Sequence, residues 1–286
     1  GEGGESAGGV RSILRVANRR PDWELPKRLD GLQLSPDDKM MQEVGKRHPC
    51  PKCKRNRAYY CSDCVVPFTE LPRLELPVRI SVITSSDEAR TKSTGVHAAL
   101  LAPAHVAMHS LQASPPFDPA RSLVLFPSEE AVEVEEVAGM DIDRVFVIDS
   151  KWSYGLRIAH DPILEGCKHV KLSGTKTAFW RFHTKGVSEE AVCTIEAIYH
   201  LCRSLARARD PGGGEQHQYD DLLFLFDFMH RQVEEAIKKR ALERSARDVV
   251  DSKAPNSRGH HPAFPEPLPG TQKQRRRKKQ LAESSS

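Results

Sequence analysis

The sequence predicts an α/β fold, because short apolar runs alternate along the chain with segments of helical periodicity. Residues 145–148 are apolar throughout and are flanked by charge, which is typical of a buried strand in a parallel sheet. The strand candidates are residues 76–83, 122–126, 145–148, 169–172 and 178–181. The helix candidates are residues 96–108, with an interruption at Pro103, residues 188–206 and residues 220–240.

The chain is long enough for one large domain or two smaller ones, and its ends differ from its centre in composition. Hydrophobic residues make up 38% of the 286 residues, which is low for a fully globular chain. The deficit lies in residues 1–20 and 251–286, so we expect these ends to be disordered. We also expect neither a transmembrane helix nor a secretory signal, since no apolar run has the required length.

A basic run lies close to the C-terminus, where residues 273–279 hold six cations in seven positions. Such a run is typical of a nuclear localisation signal or of a tail that binds nucleic acid. We therefore expect the protein in the nucleus, with a cytoplasmic pool as the alternative. The other interpretation is a solvated, charged terminus that has no partner.

Four of the seven cysteines form two hooks of the pattern Cys-x2-Cys, which are seven residues apart. They are Cys50, Cys53, Cys61 and Cys64. Each hook can bind one side of a tetrahedral ion, so the spacing predicts a structural zinc knuckle over residues 48–66. The alternatives are two disulfides or a redox pair. The predicted nuclear location argues against disulfides.

Basic side chains surround this knuckle and lie beside the tyrosine pair at residues 59–60. Cations beside aromatic rings are suited to an RNA backbone with a stacked base. The RNA-binding candidates are Lys52, Lys54, Arg55 and Arg57. The alternative is a solvated loop whose charge only prevents aggregation.

The strand at residues 145–148 is followed by an acid and, three residues later, by a tryptophan. In a parallel α/β sheet the ligand crevice lies beyond the carboxyl ends of the strands. Asp149 is therefore placed for proton transfer, and Trp152 is placed to stack on a flat ligand. The alternative is an Asp that caps the next turn and a Trp that fills the core.

In their order and spacing, these elements resemble the eukaryotic branch of the DTW-domain family over about residues 48–237. The segments that support the resemblance are Cys50-Pro-Lys-Cys53, Tyr60-Cys-Ser-Asp-Cys64, Lys92-Ser-Thr94 with His97, Leu101-Ala-Pro103, Leu125-Phe-Pro127, Ile148-Asp-Ser-Lys-Trp152, Lys176-Thr-Ala-Phe-Trp-Arg181, Thr194-Ile-Glu-Ala197 and Tyr219-Asp-Asp-Leu-Leu-Phe224. The domain limits are then an N-terminal tail over 1–47, the knuckle over 48–66, a catalytic domain over 76–240 and a disordered basic tail over 241–286.

The resemblance implies a tRNA-uridine aminocarboxypropyltransferase. Such an enzyme moves the 3-amino-3-carboxypropyl group of S-adenosylmethionine to N3 of a uridine in tRNA, here in the D-loop, and releases methylthioadenosine. It also implies a SPOUT-like sheet with helices on both faces and a knotted cofactor site. Asp149 is then the base, and Trp152 stacks on the uracil or shapes the cofactor pocket. The cofactor-binding candidates are Thr94, Phe126, Pro127, Thr194 and Glu196, the last through the cofactor amino group or, alternatively, paired with an arginine.

Two departures from the family pattern stand at the site. The motif Asp149-Ser150-Lys151-Trp152 has a lysine in the place of the family threonine, and Cys193 stands where the family has serine. We expect transfer activity to survive, since the acid, the tryptophan and Glu196 remain. Two other functions stay open, a zinc-stabilised RNA-binding protein without catalysis and an S-adenosylmethionine-dependent RNA methyltransferase. tRNA is the expected partner; the sequence indicates no membrane and no protein partner.

Overall fold

The computed structural model describes residues 25–85, 90–150, 152–179, 191–213 and 217–253, with the backbone alone at 152–153 and 244–253. By internal contacts the chain divides into residues 1–239 and 240–286. Of the predicted disordered ends, 1–20 and 251–286, residues 1–20 and 254–286 lie outside the described residues. Among the helices that the structure describes, none has the length and apolar character needed to cross a bilayer.

The N-terminal part of the described chain contains one short helix and two small hairpins that hold the cysteine hooks. Helix α1 is Asp38–Met41. The first hairpin pairs β1 with β2, and the second pairs β3 with β4, both antiparallel. Their bounds are His48–Pro49 for β1, Asn56–Arg57 for β2, Tyr60–Cys61 for β3 and Val66–Pro67 for β4.

Six strands form one sheet in which every neighbouring pair is parallel. The order across the sheet is β6-β5-β9-β7-β10-β8. The strands are β5 at Arg79–Thr84, β6 at Val106–His109, β7 at Ser122–Leu125, β8 at Val132–Glu133, β9 at Arg144–Asp149 and β10 at Lys168–Lys171. This sheet confirms the predicted α/β class.

Helices cover both faces of the sheet, as predicted. Helix α2 is Gly95–Leu101, α3 is Trp152–Ala159, α4 is Thr194–Arg209 and α5 is Phe224–Lys253. In β9, Val145 and Val147 lie in a buried cluster with Ile195 of α4, whereas Phe146 lies in a second cluster with Ala159 of α3. Successive side chains of a strand point to opposite faces, so a strand that is covered on both sides is apolar without alternation.

The helix predicted over residues 96–108 is wrong beyond Leu101. The chain after Pro103 forms β6 instead, and Val106 pairs with Ile80 at the edge of the sheet. The physical reason is that proline has no N–H for a helical hydrogen bond and restrains the residue before it. Apolar side chains that follow such a break are free to pair with a neighbouring strand.

The strand predicted over residues 178–181 is wrong for the two residues that the structure describes, 178 and 179. The backbone N–H of Ala178 donates instead to the carboxylate of Glu196, at 2.6 Å. That N–H is therefore not available to a strand ladder. Residues 180 and 181 lie outside the described residues.

Both C-terminal helices have different limits from those predicted. Helix α4 begins at Thr194, and described residues 191–193 before it are not helical. A 3₁₀ helix, His217–Leu223, precedes α5, and α5 extends to Lys253. Residues 241–253 of the predicted disordered tail are therefore helical.

Candidate active site

Asp149 is the last residue of β9, at the carboxyl edge of the sheet, where the sequence placed it. In the strand register it faces Thr84 of β5. Its half-buried carboxylate accepts a hydrogen bond from Thr194 Oγ1 at 2.7 Å and a second one from Ser93 Oγ. Two donated hydrogen bonds orient the carboxylate and stabilise its charged form.

Three separate segments meet at this carboxylate, and one glycine permits their close approach. Thr94 Oγ1 accepts the backbone N–H of Ile195 at 3.2 Å, which ties the start of α2 to the start of α4. A Cβ atom on Gly95 would lie 2.9 Å from Val82 Cγ1, 3.2 Å from Thr194 Cγ2 and 3.5 Å from the Asp149 carboxylate. Any larger residue at this position would push these elements apart.

Glu196 lies one turn into α4 and is completely buried. Its carboxylate accepts hydrogen bonds from Thr177 Oγ1 at 2.7 Å, from Ala178 N at 2.6 Å and from Cys193 N at 2.8 Å. In the described part of the chain it hydrogen bonds to no arginine. These bonds fix the segment before residue 180 against the start of α4, so Glu196 positions the chain around the site. Its contact with the cofactor amino group stays a prediction.

Cys193 caps α4 in the place where the family has serine. The Cys193–Glu196 pair forms a reciprocal capping box, in which each side chain bonds the backbone N–H of the other residue. Burial, followed by the charge of Glu196, raises the pKa of the Cys193 thiol well above its ordinary value. The sulfur therefore stays protonated and serves as a helix cap, a position that serine also favours.

We expect Glu196→Gln to lower the free energy of unfolding by about 1–3 kcal/mol, because all three partners are donors and the NH2 group that replaces one carboxylate oxygen cannot accept from them. Urea unfolding followed by far-UV circular dichroism measures the change. The control is Glu135→Gln, which makes the same exchange at an exposed position. An unchanged urea midpoint in Glu196→Gln would contradict the positioning role.

Phe126 and Pro127 directly follow β7, the strand beside β9. Phe126 N donates to Val170 O at 2.9 Å, and its ring lies against α3, where a Cβ on Gly155 would lie 2.8 Å from Cε2. Helix α3 begins at Trp152, so Phe126 contacts the helix that the family motif opens. The side chain of Trp152 and all of Lys151 lie outside the described residues.

The cysteine hooks come together as predicted. The four sulfur atoms lie within 4.8 Å of one another, and Cys53 Sγ lies 3.6 Å from Cys61 Sγ. Sulfur atoms bound at about 2.3 Å to a tetrahedral zinc are about 3.8 Å apart, so the separation suits a zinc site. All four are free thiols, because a disulfide needs a separation of about 2 Å. The residue directly after each hook, Lys54 in the first and Val65 in the second, has a positive φ in the left-handed region.

One hydrogen bond links the knuckle to the site. Tyr60 OH lies 2.8 Å from His97 Nε2, and His97 is a buried residue of α2, the helix that begins beside Asp149. Burial lowers the pKa of His97 to about 3, so its ring is neutral at physiological pH. The knuckle therefore supports α2 through an uncharged pair.

The basic residues of the knuckle differ in how much of their charge faces solvent. Arg57 Nη2 lies 2.8 Å and Arg55 Nη1 lies 3.0 Å from the same Asp63 oxygen. The hydrogen bond from Arg57 holds the pKa of Asp63 below its usual value. Arg57 is half-buried and braces the knuckle, whereas Lys52 and Lys54 are exposed. RNA binding by these four residues stays a prediction.

Ser93, Thr177 and Gly95 are site residues that the sequence alone does not single out. Ser93 lies inside the segment Lys92-Ser-Thr94, but no local pattern shows that its hydroxyl reaches Asp149. Thr177 likewise lies inside a family segment and donates to Glu196. For Gly95 the sequence offers one signal, a glycine directly after the polar residues Ser93 and Thr94, and this signal is weak.

Three relatives, each named tRNA-uridine aminocarboxypropyltransferase 1, are similar to this chain. The Xenopus tropicalis protein is 32% identical over 243 residues, which cover 67% of this chain and 81% of that protein. The Rattus norvegicus protein is 30% identical over 241 residues, or 66% of this chain and 78% of that protein. The Homo sapiens protein is 27% identical over 243 residues, with coverage of 66% and 78%.

No solved structure matches the chain significantly. The family profile of the DTW domain matches residues 47–234, which include both cysteine hooks, Asp149 and Glu196. This match covers more than half of the chain and includes all the segments that support the resemblance, from Cys50 to Phe224. The chain therefore belongs to the DTW domain family.

Proposed function

We propose that this protein is a tRNA-uridine aminocarboxypropyltransferase that modifies N3 of a uridine in the tRNA D-loop. The observation that supports this function best is the carboxylate of Asp149, which is fixed at the carboxyl edge of the sheet by Ser93 and Thr194. The relatives at 27–32% identity are named for the same reaction.

S-adenosylmethionine supplies a carbon that is activated by the adjacent sulfonium. In the reaction a bond forms between uridine N3 and the γ-carbon of the methionine arm, the bond from that carbon to sulfur breaks, and methylthioadenosine leaves. Asp149 takes the N3 proton, a contribution of about 10²–10⁴ to the rate. The two hydroxyl groups hold the carboxylate in place for this transfer, and Trp152 stacks on the extruded uracil or shapes the cofactor pocket.

The cofactor-binding residues we propose come from the ends of neighbouring strands and from the start of α4. They are Thr94, Phe126, Pro127 and Thr194. Glu196 either positions the backbone around these residues or holds the amino group of the cofactor. Strand β9 lies between the earlier strands β5 and β7, and β10 lies between β7 and β8. A chain that returns to insert later strands between earlier ones supports our proposal of a knotted, SPOUT-like cofactor site.

The four cysteines hold one structural zinc in our proposal, since the sulfur spacing suits a tetrahedral ion and leaves no open position for catalysis. We further propose that Lys52, Lys54 and Arg55 contact the tRNA backbone, with Arg57 as the brace of that surface.

Mass spectrometry of tRNA after incubation with the protein and S-adenosylmethionine tests the function. We expect a 3-amino-3-carboxypropyl adduct on uridine and an equal amount of released methylthioadenosine. Nuclease mapping of the modified tRNA locates the base. A methyl adduct would indicate a methyltransferase instead. tRNA binding without any adduct would indicate an RNA-binding protein without catalysis.

Replacing Lys151 with threonine restores the family motif, and we expect turnover to change several-fold at most. In our proposal Lys151 pairs with Asp149, holds an RNA phosphate or holds the carboxylate of the cofactor. A pair with Asp149 keeps that carboxylate charged but draws it away from N3, so its two effects on proton transfer oppose each other. Single-turnover rates of the two proteins measure the change. A wild type without transfer activity, rescued by Lys151→Thr, would instead identify this chain as a degenerate family member.

The basic run at residues 273–279 acts in nuclear localisation or in tRNA capture in our proposal, outside the catalytic core. Deleting residues 270–286 should leave the urea midpoint unchanged, because nothing in this segment is patterned for burial. It should weaken tRNA binding at low salt, reduce the salt dependence of that binding, or move the protein out of the nucleus. Unfolding of the truncated protein would contradict this assignment.

A further inference from the structure

A second cluster of metal-ligating side chains lies away from the cysteine hooks and from Asp149. Glu130 Oε1 lies 2.9 Å from His160 Nε2 and 3.1 Å from His169 Nδ1. The three candidate ligand atoms lie within 4.8 Å of one another. They come from the turn after β7, from the end of α3 and from β10, so the fold itself brings them together.

The hydrogen bonds of the two rings leave ligand nitrogens facing the carboxylate. His160 Nδ1 lies 3.0 Å from the carbonyl of Leu156, which only accepts, so Nδ1 carries the hydrogen and Nε2 of the neutral ring has a lone pair. His169 is held by the backbone carbonyl of Ala159, at the end of the same helix. Ring N–H groups bonded to backbone carbonyls are the usual support of metal-binding histidines.

The carbonyl of Leu156, followed by Glu130, raises the pKa of His160, so without a metal ion a proton on Nε2 pairs the ring with the Glu130 carboxylate. The lone pair of Nε2 and the carboxylate oxygen are both acceptors, and they repel at 2.9 Å unless a proton or a cation lies between them. That proton bridges His160 and Glu130, and the Ser128 hydroxyl hydrogen bonds His169 Nδ1, whereas one metal ion would bind both imidazoles and the carboxylate. Ser128 Oγ, 2.8 Å from His169 Nδ1, adds a further oxygen to the cluster.

The cluster opens to solvent, as an exchangeable metal site requires. It borders a pocket of about 600 Å³. The side chain of His169 is 9% exposed at the base of the cluster, and those of Glu130 and His160 are 53% and 46% exposed at its rim. An ion therefore has a route to the cluster, and water can complete its coordination.

We propose that Glu130, His160 and His169 bind a divalent transition metal ion, with zinc as the representative ion. Two imidazoles and one carboxylate suit Zn²⁺ and its first-row neighbours, whereas Mg²⁺ and Ca²⁺ require more oxygen ligands. The ion joins the end of α3 to β10 and to the turn after β7. Helix α3 begins at Trp152 and contacts Phe126 through Gly155. A metal ion bound at the end of this helix therefore stabilises the side of the proposed active site that Trp152 and Phe126 form.

Zinc titration of the full chain tests this site without reference to transferase activity. Starting from protein that carries one zinc per chain, we expect a second equivalent to bind and to raise the melting temperature. With Co²⁺ as the probe, this second equivalent should give weak visible bands without thiolate charge transfer. Glu130→Gln and His169→Gln should each abolish the second equivalent and the rise in melting temperature.

The matched control is His105→Gln. His105 forms a similar ion pair with Glu75 but has no third ligand in the described chain, so this variant should keep the second equivalent. Glu130→Gln changes an exposed side chain, so it keeps the test valid if the variant of the more buried His169 fails to fold. Binding of one equivalent only in the wild type, or a second equivalent that persists in Glu130→Gln, would overturn the proposal.

Discussion

Asp149→Asn should lower single-turnover transfer to tRNA by about a hundredfold or more, with binding of S-adenosylmethionine and tRNA close to normal. Asparagine keeps the size of the side chain and can still accept from one hydroxyl, but it cannot take the proton of uridine N3. The expected loss therefore appears in kcat and not in KM. Formation of the modified uridine, followed by mass spectrometry, gives the rate, and filter binding gives the tRNA affinity.

The matched control lies at the other end of the same strand. Asp143 directly precedes β9 and forms an exposed ion pair with Arg79 at 3.4 Å. Asp143→Asn makes the same chemical change where an ion pair contributes little to stability, so turnover should not change. Full turnover in Asp149→Asn would make Asp149 a structural residue of the strand end. A decrease of equal size in both variants would indicate a general effect of the substitution on the sheet.

The position of Asp149 was predictable because it depends on a local pattern. An apolar run that ends in an acid fixes both the strand and the edge at which the acid lies. The partners of that acid were not predictable, because Ser93 and Thr194 are 56 and 45 residues away in the chain. Their approach depends on Gly95, where the close contact with Val82 exists only after the sheet and both helices have packed.

The errors in the predicted elements have a similar origin. The residues after Pro103 have no strong preference of their own, and their state is decided by the free edge of β5. Ala178 lies in a run that favours a strand, but a buried carboxylate 18 residues later binds its N–H. In both places a tertiary partner decides the local structure. The cysteine hooks lie at the other extreme, because their ligand set is encoded entirely by spacing.

Removing the thiolates of one hook should have the largest effect on folding. Each hairpin of the knuckle has strands of only two residues, which cannot be stable alone in water. A structural zinc supplies on the order of 10 kcal/mol of apparent binding free energy, and in small metal sites this energy is folding energy. We therefore expect Cys50→Ser combined with Cys53→Ser to lose the tightly bound zinc and to unfold residues 48–67.

Metal analysis after dialysis against a weak chelator, together with hydrogen exchange of the knuckle amides, measures both effects. The matched control is Cys167→Ser, a half-buried thiol outside the hooks, which should retain about one zinc per chain. A peptide with a disulfide between the hooks, or tightly bound zinc in the double variant, would exclude a structural zinc there. Because Tyr60 bonds His97 in α2, unfolding of the knuckle should also lower the transfer rate while the parallel sheet stays folded.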